Sequence, residues 1–202
     1  MSARAGDFEM VTAAGDSDVT RALNVLALYA VVAVLGAAFW VQFAFDNLPC
    51  PLCLLQRVAF TMMAAGLVYN LRYGPRGRGY GLVLLGAAFG GTVSIRQILL
   101  HIAPGDPGYG APVFGLHDYT WAAIIFGFAI VATAAVLLFD RRLSAKSEPR
   151  KLGFFAGLAI ALAFLITLGN AALALIECGF AVCPDNPVTY ELMPSLPSLV
   201  PF

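Results

Sequence analysis

Residues 22–45 read ALNVLALYAVVAVLGAAFWVQFAF, and no charged side chain interrupts the run. A hydrocarbon core about 30 Å thick takes about 20 residues of helix, so this run is long enough to cross one. It lacks the apolar–polar alternation of a barrel strand, and only a helix satisfies its own backbone in lipid. Four further stretches have the same character, at about 54–71, 80–101, 119–139 and 153–176. The rest of the composition agrees, since 60% of the 202 residues are hydrophobic and 12% are charged. A soluble domain carries about a quarter charged residues, so this chain could not cover a globular surface. Twelve Lys and Arg balance twelve Asp and Glu, which leaves no basic excess for nucleic acid. The apolar content excludes disorder. The expected fold class is an all-α integral membrane protein.

Charge in the connecting segments predicts the orientation. Arg72, Arg76 and Arg78 separate spans two and three, and Arg141, Arg142, Lys146, Arg150 and Lys151 separate spans four and five. Segments 46–53, 102–118 and 177–202 hold no Lys or Arg. Positive residues mark the cytoplasmic side, so the amino terminus is expected inside and the carboxyl terminus outside. The chain divides into a cytoplasmic tail (1–21), a four-span membrane domain (22–139), a basic cytoplasmic loop (140–152), a fifth span (153–176) and an outer tail (177–202). The first twenty residues are acidic and lack a basic n-region, which predicts a mobile tail before a retained helix rather than a signal peptide. Gly86, Gly90 and Gly91 either let helices approach closely or reflect the ordinary tolerance of membrane helices for glycine. The Gly- and Pro-rich segment His101–Asp118 is expected to be an ordered turn, and the Pro-rich tail from Pro184 to lie along the outer interface.

The four cysteines all fall in segments expected outside. Cys50 and Cys53 form a Cys-x-x-Cys at the mouth of span two, and Cys178 and Cys183 follow span five. An oxidising compartment permits disulfides there, and two structural disulfides are one reading. A two-residue loop, however, gains little entropy from closure, which favours a reactive pair at 50 and 53. Pro49 and Pro51 suit a helix start, where the dipole favours the thiolate that carries out exchange. Zinc is disfavoured because no histidine neighbours either pair. Arg57 lies on the same helical stripe as Cys50 and Cys53, about 6 Å below Cys53 along the axis. A charge at that depth is expensive and points to function, with snorkelling as the structural alternative. Its guanidinium can stabilise a thiolate or donate to the carbonyl oxygen of a membrane-dissolved acceptor such as a quinone. Arg96, Gln97 and His101 at the end of span three are candidates for the far wall of that site, and His101 alternatively caps the helix. His117 with Asp118 is expected to start a helix, and Trp40 and Trp121 to be interfacial aromatics.

The run Cys50-Pro51-Leu52-Cys53-Leu54-Leu55-Gln56-Arg57, opening a second span, resembles the bacterial disulfide bond formation protein B (DsbB) family over spans one to four. The resemblance implies a four-helix bundle in the inner membrane that oxidises a periplasmic, DsbA-like thioredoxin-fold partner and passes electrons to ubiquinone or menaquinone. It implies that Cys53 faces the quinone, that Arg57 hydrogen-bonds it, and that Cys50 exchanges with a second cysteine pair. The chain departs from the family pattern in one respect. The second pair is expected between spans three and four, where 102–118 holds no cysteine, and Cys178 and Cys183 lie beyond an additional span.

Three functions compete. A quinone-linked thiol oxidase uses every feature above. A reductant delivering electrons outward needs cysteines reachable from inside, where none is expected. A non-catalytic membrane subunit with two structural disulfides makes Arg57 dispensable.

Overall fold

The structure is a computed structural model that describes residues 3–45, 47–139 and 152–192. Its elements are α1 (Ala3–Ala44), α2 (Pro51–Tyr73), α3 (Gly77–Leu100), α4 (Asp118–Phe139) and α5 (Phe154–Cys178). All five are long and apolar enough to cross a membrane. No strand forms among the described residues, apart from an isolated bridge between Val113 and Leu116. The spans expected from hydropathy are therefore present, with α2 starting three residues earlier than expected, at Pro51. The first helix differs more. Its apolar window is Val19–Ala44, yet the helix begins at Ala3, where a mobile tail was expected. Residues 3–20 contain no proline and several good helix formers, so a helix nucleated by the apolar span extends upstream without a break. The basic segment 140–151 and the tail 193–202 lie outside the described residues.

The helices pack in the order α4, α3, α2, α1, with α5 against both α1 and α2. Phe60 of α2 stacks on Phe126 of α4 at a centroid distance of 4.2 Å, and both rings are buried. That contact passes across α3, and glycine permits it. A Cβ on Gly90 would run into the Phe126 ring, and one on Gly86 would lie 2.9 Å from the Ala59 carbonyl oxygen. At Gly91 a Cβ would meet only Phe126 Cβ, at an ordinary 3.7 Å. Close approach thus explains Gly86 and Gly90, while Gly91 is merely tolerated. Outward faces remain apolar, with Leu85, Phe128, Val131, Leu138, Phe164 and Leu165 all exposed, as a lipid-facing surface requires.

Polar groups close the bundle at each end. At one end Asn24 donates to the Tyr80 hydroxyl at 2.8 Å, Asn70 donates to Asn24 at 3.4 Å, and the Arg76 amide donates to Asn70 Oδ1 at 3.1 Å. These bonds tie α1, α2 and α3 together beside the Gly74–Arg76 turn. All four cysteines lie at the opposite end, where α1 and α3 finish, α2 and α4 start, and α5 finishes.

Gly90→Ala should overpack this core and lower stability by about 1–3 kcal/mol. Gly91→Ala should be neutral or slightly stabilising, since alanine is the better helix former. Thermal unfolding midpoints of the two variants in detergent check the contrast.

Candidate functional site

The start of α2 brings the first cysteine pair together. Cys50 is the N-cap, in an extended conformation (φ −65°, ψ 162°), and its Sγ accepts from the Cys53 amide at 3.2 Å. Pro51 occupies the first helical position, where its missing N–H leaves nothing unsatisfied. The two cysteines form a disulfide with Cα atoms 5.0 Å apart. Cys50 is buried and Cys53 half-buried. From α3, Gln97 donates through Nε2 to Cys50 Sγ at 3.3 Å and to Cys53 Sγ at 3.6 Å. Its Oε1 accepts from Gln56 at 2.9 Å, and both glutamines are buried. A neutral disulfide gains little from such a donor, but a thiolate gains more, because hydrogen bonds to charged groups are the strong ones. Helix start and amide donor act in the same direction: both stabilise the reduced, ionised sulfur.

Arg57 sits one turn further into the bundle and reaches sideways across it. Nη1 donates to Gln42 Oε1 at 2.9 Å on α1 and to Asn170 Oδ1 at 3.3 Å on α5. Nη2 donates to the Ala38 carbonyl at 3.2 Å, and the guanidinium lies 5.8 Å from the centroid of the Phe39 ring. Among the described residues three of its five N–H donors are engaged, which leaves two for a further acceptor. Gln42 also donates to the Tyr190 hydroxyl at 3.4 Å, which draws the chain after α5 into the same cluster.

The loop between α3 and α4 is ordered, as expected. His101 is the C-cap of α3, as the capping alternative had it, and its ring stacks on Tyr119 at 5.7 Å. Its Nδ1 lies 3.0 Å from Asp106 Oδ1, which also accepts from the Gly108 amide at 2.8 Å. That amide, and then the histidine ring, hold the Asp106 carboxyl below its ordinary range. The Tyr109 hydroxyl donates to the Leu48 carbonyl, two residues before Cys50, and burial pushes its phenol up. His117 precedes Asp118 at the start of α4, and its carbonyl accepts from the Thr120 amide at 2.9 Å. Arg96 lies exposed on α3.

Cys178 is the last residue of α5 and pairs with Cys183, with Cα atoms 4.6 Å apart. Gly179, at φ 62°, turns the chain there. The following segment folds back, with the Glu191 amide on the Glu177 carbonyl at 3.2 Å and the Leu192 amide on the Ile176 carbonyl at 3.1 Å. Phe180 and Val182, inside the small disulfide ring, are 93% and 95% exposed.

A family model described as Disulfide bond formation protein DsbB matches residues 20–111. The chain is 30% identical over 148 residues to the disulfide bond formation protein B of Xanthomonas campestris pv. campestris, covering 69% of this chain and 86% of that relative. This chain belongs to the DsbB family. It is 41% identical over 101 residues to the disulfide bond formation protein B of Marinobacter nauticus, covering 46% of this chain and 59% of that relative. No solved structure matches it. As a DsbB family member it is a multi-pass membrane protein of disulfide bond formation. The family model ends before α4, so α5 and the second cysteine pair lie beyond it.

Several polar residues of this DsbB family site were not singled out from the sequence: Gln42, Gln56, Asn170 and Glu177. Their signal was available, since each is a polar residue in or at the end of an apolar span, and such positions mark function or a buried partner.

Gln97→Leu removes the donor to both sulfurs and should make the Cys50–Cys53 disulfide harder to reduce. A hydrogen bond to a charged group contributes about 1.5–3 kcal/mol. For a two-electron couple this lowers the reduction potential by about 30–60 mV. Equilibration with thiol redox buffers, followed by alkylation and mass spectrometry of the peptide carrying both cysteines, measures it.

Proposed function

We propose that this protein is a quinone-linked thiol oxidase of the bacterial inner membrane, with its amino terminus cytoplasmic and its carboxyl terminus periplasmic. It reoxidises a periplasmic thioredoxin-fold disulfide donor of the DsbA type and passes the electrons to ubiquinone or menaquinone. The observation that carries this reading is the Cys50–Cys53 disulfide at a helix N-cap, with a half-buried arginine one turn further into the bundle. The absence of Lys and Arg from the segments that hold the cysteines supports the orientation.

The residues present fit a quinone. The two remaining N–H donors of Arg57 suit a carbonyl oxygen, and Arg57 itself lies on the stripe that carries Cys53. In this reading Arg57 binds the quinone, His101 and Arg96 contribute to the far wall, and Cys53 is the sulfur that faces it. When bound, the quinone supplies a two-electron, two-proton acceptor. Cys50 and Cys53 deliver the electrons as their thiols close to a disulfide, while Gln97 and the α2 start hold the thiolate that begins the step.

Cys178 and Cys183 serve as the shuttle to the partner. Cys178 ends a helix, where the dipole disfavours a thiolate, whereas Cys50 caps a helix start, where the dipole favours one. The dipoles therefore stabilise the reduced form of Cys50–Cys53 more than that of Cys178–Cys183, and electrons run from the second pair to the first. Exposed Phe180 and Val182 beside the outer disulfide suit contact with a protein substrate.

Purified protein supplied with a reduced thioredoxin-fold substrate and a short-chain ubiquinone tests the reading. Cys53→Ser should abolish quinone reduction, and retained turnover would remove the assignment. Arg57→Ala should raise the quinone concentration needed by about tenfold to a hundredfold, from the loss of a charge-assisted hydrogen bond of about 1.5–3 kcal/mol. An unchanged quinone requirement would make Arg57 a structural residue.

A separate outcome is expected at the second pair. Cys178→Ala and Cys183→Ala should each keep quinone reduction driven by dithiothreitol while losing oxidation of the protein substrate. One of them should trap a mixed disulfide, visible on non-reducing gels. If both oxidise the substrate at the normal rate, the pair is a structural staple.

A further inference from the structure

Glu177 stands out among the buried groups. It is 1% exposed, and neither carboxyl oxygen has a hydrogen-bond partner among the described residues. Nearly all buried polar atoms in folded proteins are paired, so an unpartnered pair of carboxyl oxygens needs a reason. A helix of hydrocarbon-facing residues gains nothing structural from a glutamate at this position, and it pays a desolvation penalty for it. The position is also specific. Glu177 directly precedes Cys178, and its main-chain carbonyl holds the returning segment through the Glu191 amide. Arg57 of α2 and Tyr109 of the outer loop both lie within electrostatic reach of its carboxyl group. Arg57 in turn feels Asp118 of α4 and Tyr190 of the tail, while Asp185 and Glu191 of the tail are exposed. From α1 the cluster receives Gln42, which does not titrate.

We infer that Glu177 is the proton-carrying residue of the Arg57 site, changing its protonation as the Cys50–Cys53 pair changes redox state. The inference rests on the function proposed above and makes α5 a working part of the redox centre. The step balances as follows. Two thiols lose two S–H bonds and gain one S–S bond, and two electrons and two protons leave for the quinone acceptor. In the reduced state one thiol proton rests on Glu177 as a carboxyl, leaving that sulfur as the thiolate, and on oxidation this proton and the proton of the remaining thiol leave with the two electrons. Glu177 is thus protonated while the pair is reduced and ionised while it is oxidised.

Arg57 explains why the group sits here rather than elsewhere on α5. Its guanidinium already holds the acceptors Gln42, Asn170 and the Ala38 carbonyl, so Glu177 is not needed to satisfy it. A carboxyl group close to that charge but not bonded to it stays available to exchange a proton. Next to Cys178 in the chain and within the field of Arg57, it stands at the end of the bundle where thiol oxidation releases protons.

The test uses full-length protein in detergent and two readouts. The first is the infrared difference spectrum between the dithiothreitol-reduced and air-oxidised forms, recorded without quinone. Wild type should show a protonated-carboxyl band that Glu177→Gln lacks and Glu177→Asp retains at a shifted position. The second is quinone reduction across pH. Glu177→Gln should turn over about a hundredfold more slowly, at the low end of general acid–base contributions, and should lose one limb of the pH profile. Glu177→Asp should recover part of the rate. Glutamine is nearly isosteric with glutamate, and an unchanged unfolding midpoint with both disulfides closed establishes that the variant is folded. An identical difference spectrum and an identical pH profile in Glu177→Gln would overturn the inference. Failure of the wild type to reduce quinone at all would instead overturn the proposed function, and the infrared band, which needs no quinone, reads the carboxyl separately.

Discussion

A guanidinium inside an apolar bundle must be given acceptors, and much of this structure follows from how Arg57 receives them. Its own helix can offer none, because the α2 carbonyls are spent on the helix ladder. Three acceptors come from elsewhere: the Ala38 carbonyl and Gln42 from α1, and Asn170 from α5. The relative placement of α1, α2 and α5 is thereby set at one height in the bundle. Packing supports the same placement, since a Cβ on Gly169 would lie 3.0 Å from the Phe39 ring, the ring that also faces the guanidinium. The fifth helix, which lies beyond the family match, is thus held by the most conspicuous charge of the matched part.

Above that level the bundle presents two disulfides in opposite helical settings. Cys50 caps the beginning of α2, and Cys178 closes the end of α5. The peptide dipole therefore acts with opposite sign on sulfurs of the same element, at the same end of one bundle. Side chains reinforce the difference. Gln97 reaches the first pair from α3, oriented by Gln56, whereas the second pair is surrounded by a turn and two exposed apolar residues. One pair is enclosed within the bundle, and the other lies beside exposed apolar side chains.

Much of the fold was legible in the sequence because membrane insertion is decided by simple quantities. A run such as 22–45 is apolar for long enough to span lipid, and only a helix satisfies its backbone there. Pro51 after Cys50 likewise announced a helix start, since proline is suited to the first position of a helix and poorly suited to its interior. The extension of α1 back to Ala3 is not legible in the same way, because acidic polar residues give no apolar periodicity even though nothing in them breaks a helix.

The site was legible along one helix and, through Gln97, at the end of a second. Spacing placed Cys50, Cys53 and Arg57 on a single stripe, because residues three and four apart share a face. Gln42, Asn170 and Glu177 come from two other helices, and no periodicity within one segment says which residue of another will face it. Those partners are chosen by helix rotation and height, which depend on how Phe60, Phe126 and the glycines of α3 let the helices approach. The sequence by itself determined five membrane helices, a cysteine pair at a helix start and a charge one turn below it. Only the tertiary structure decided which polar groups complete that charge, because burial of polar atoms against one another is settled between helices and not within them.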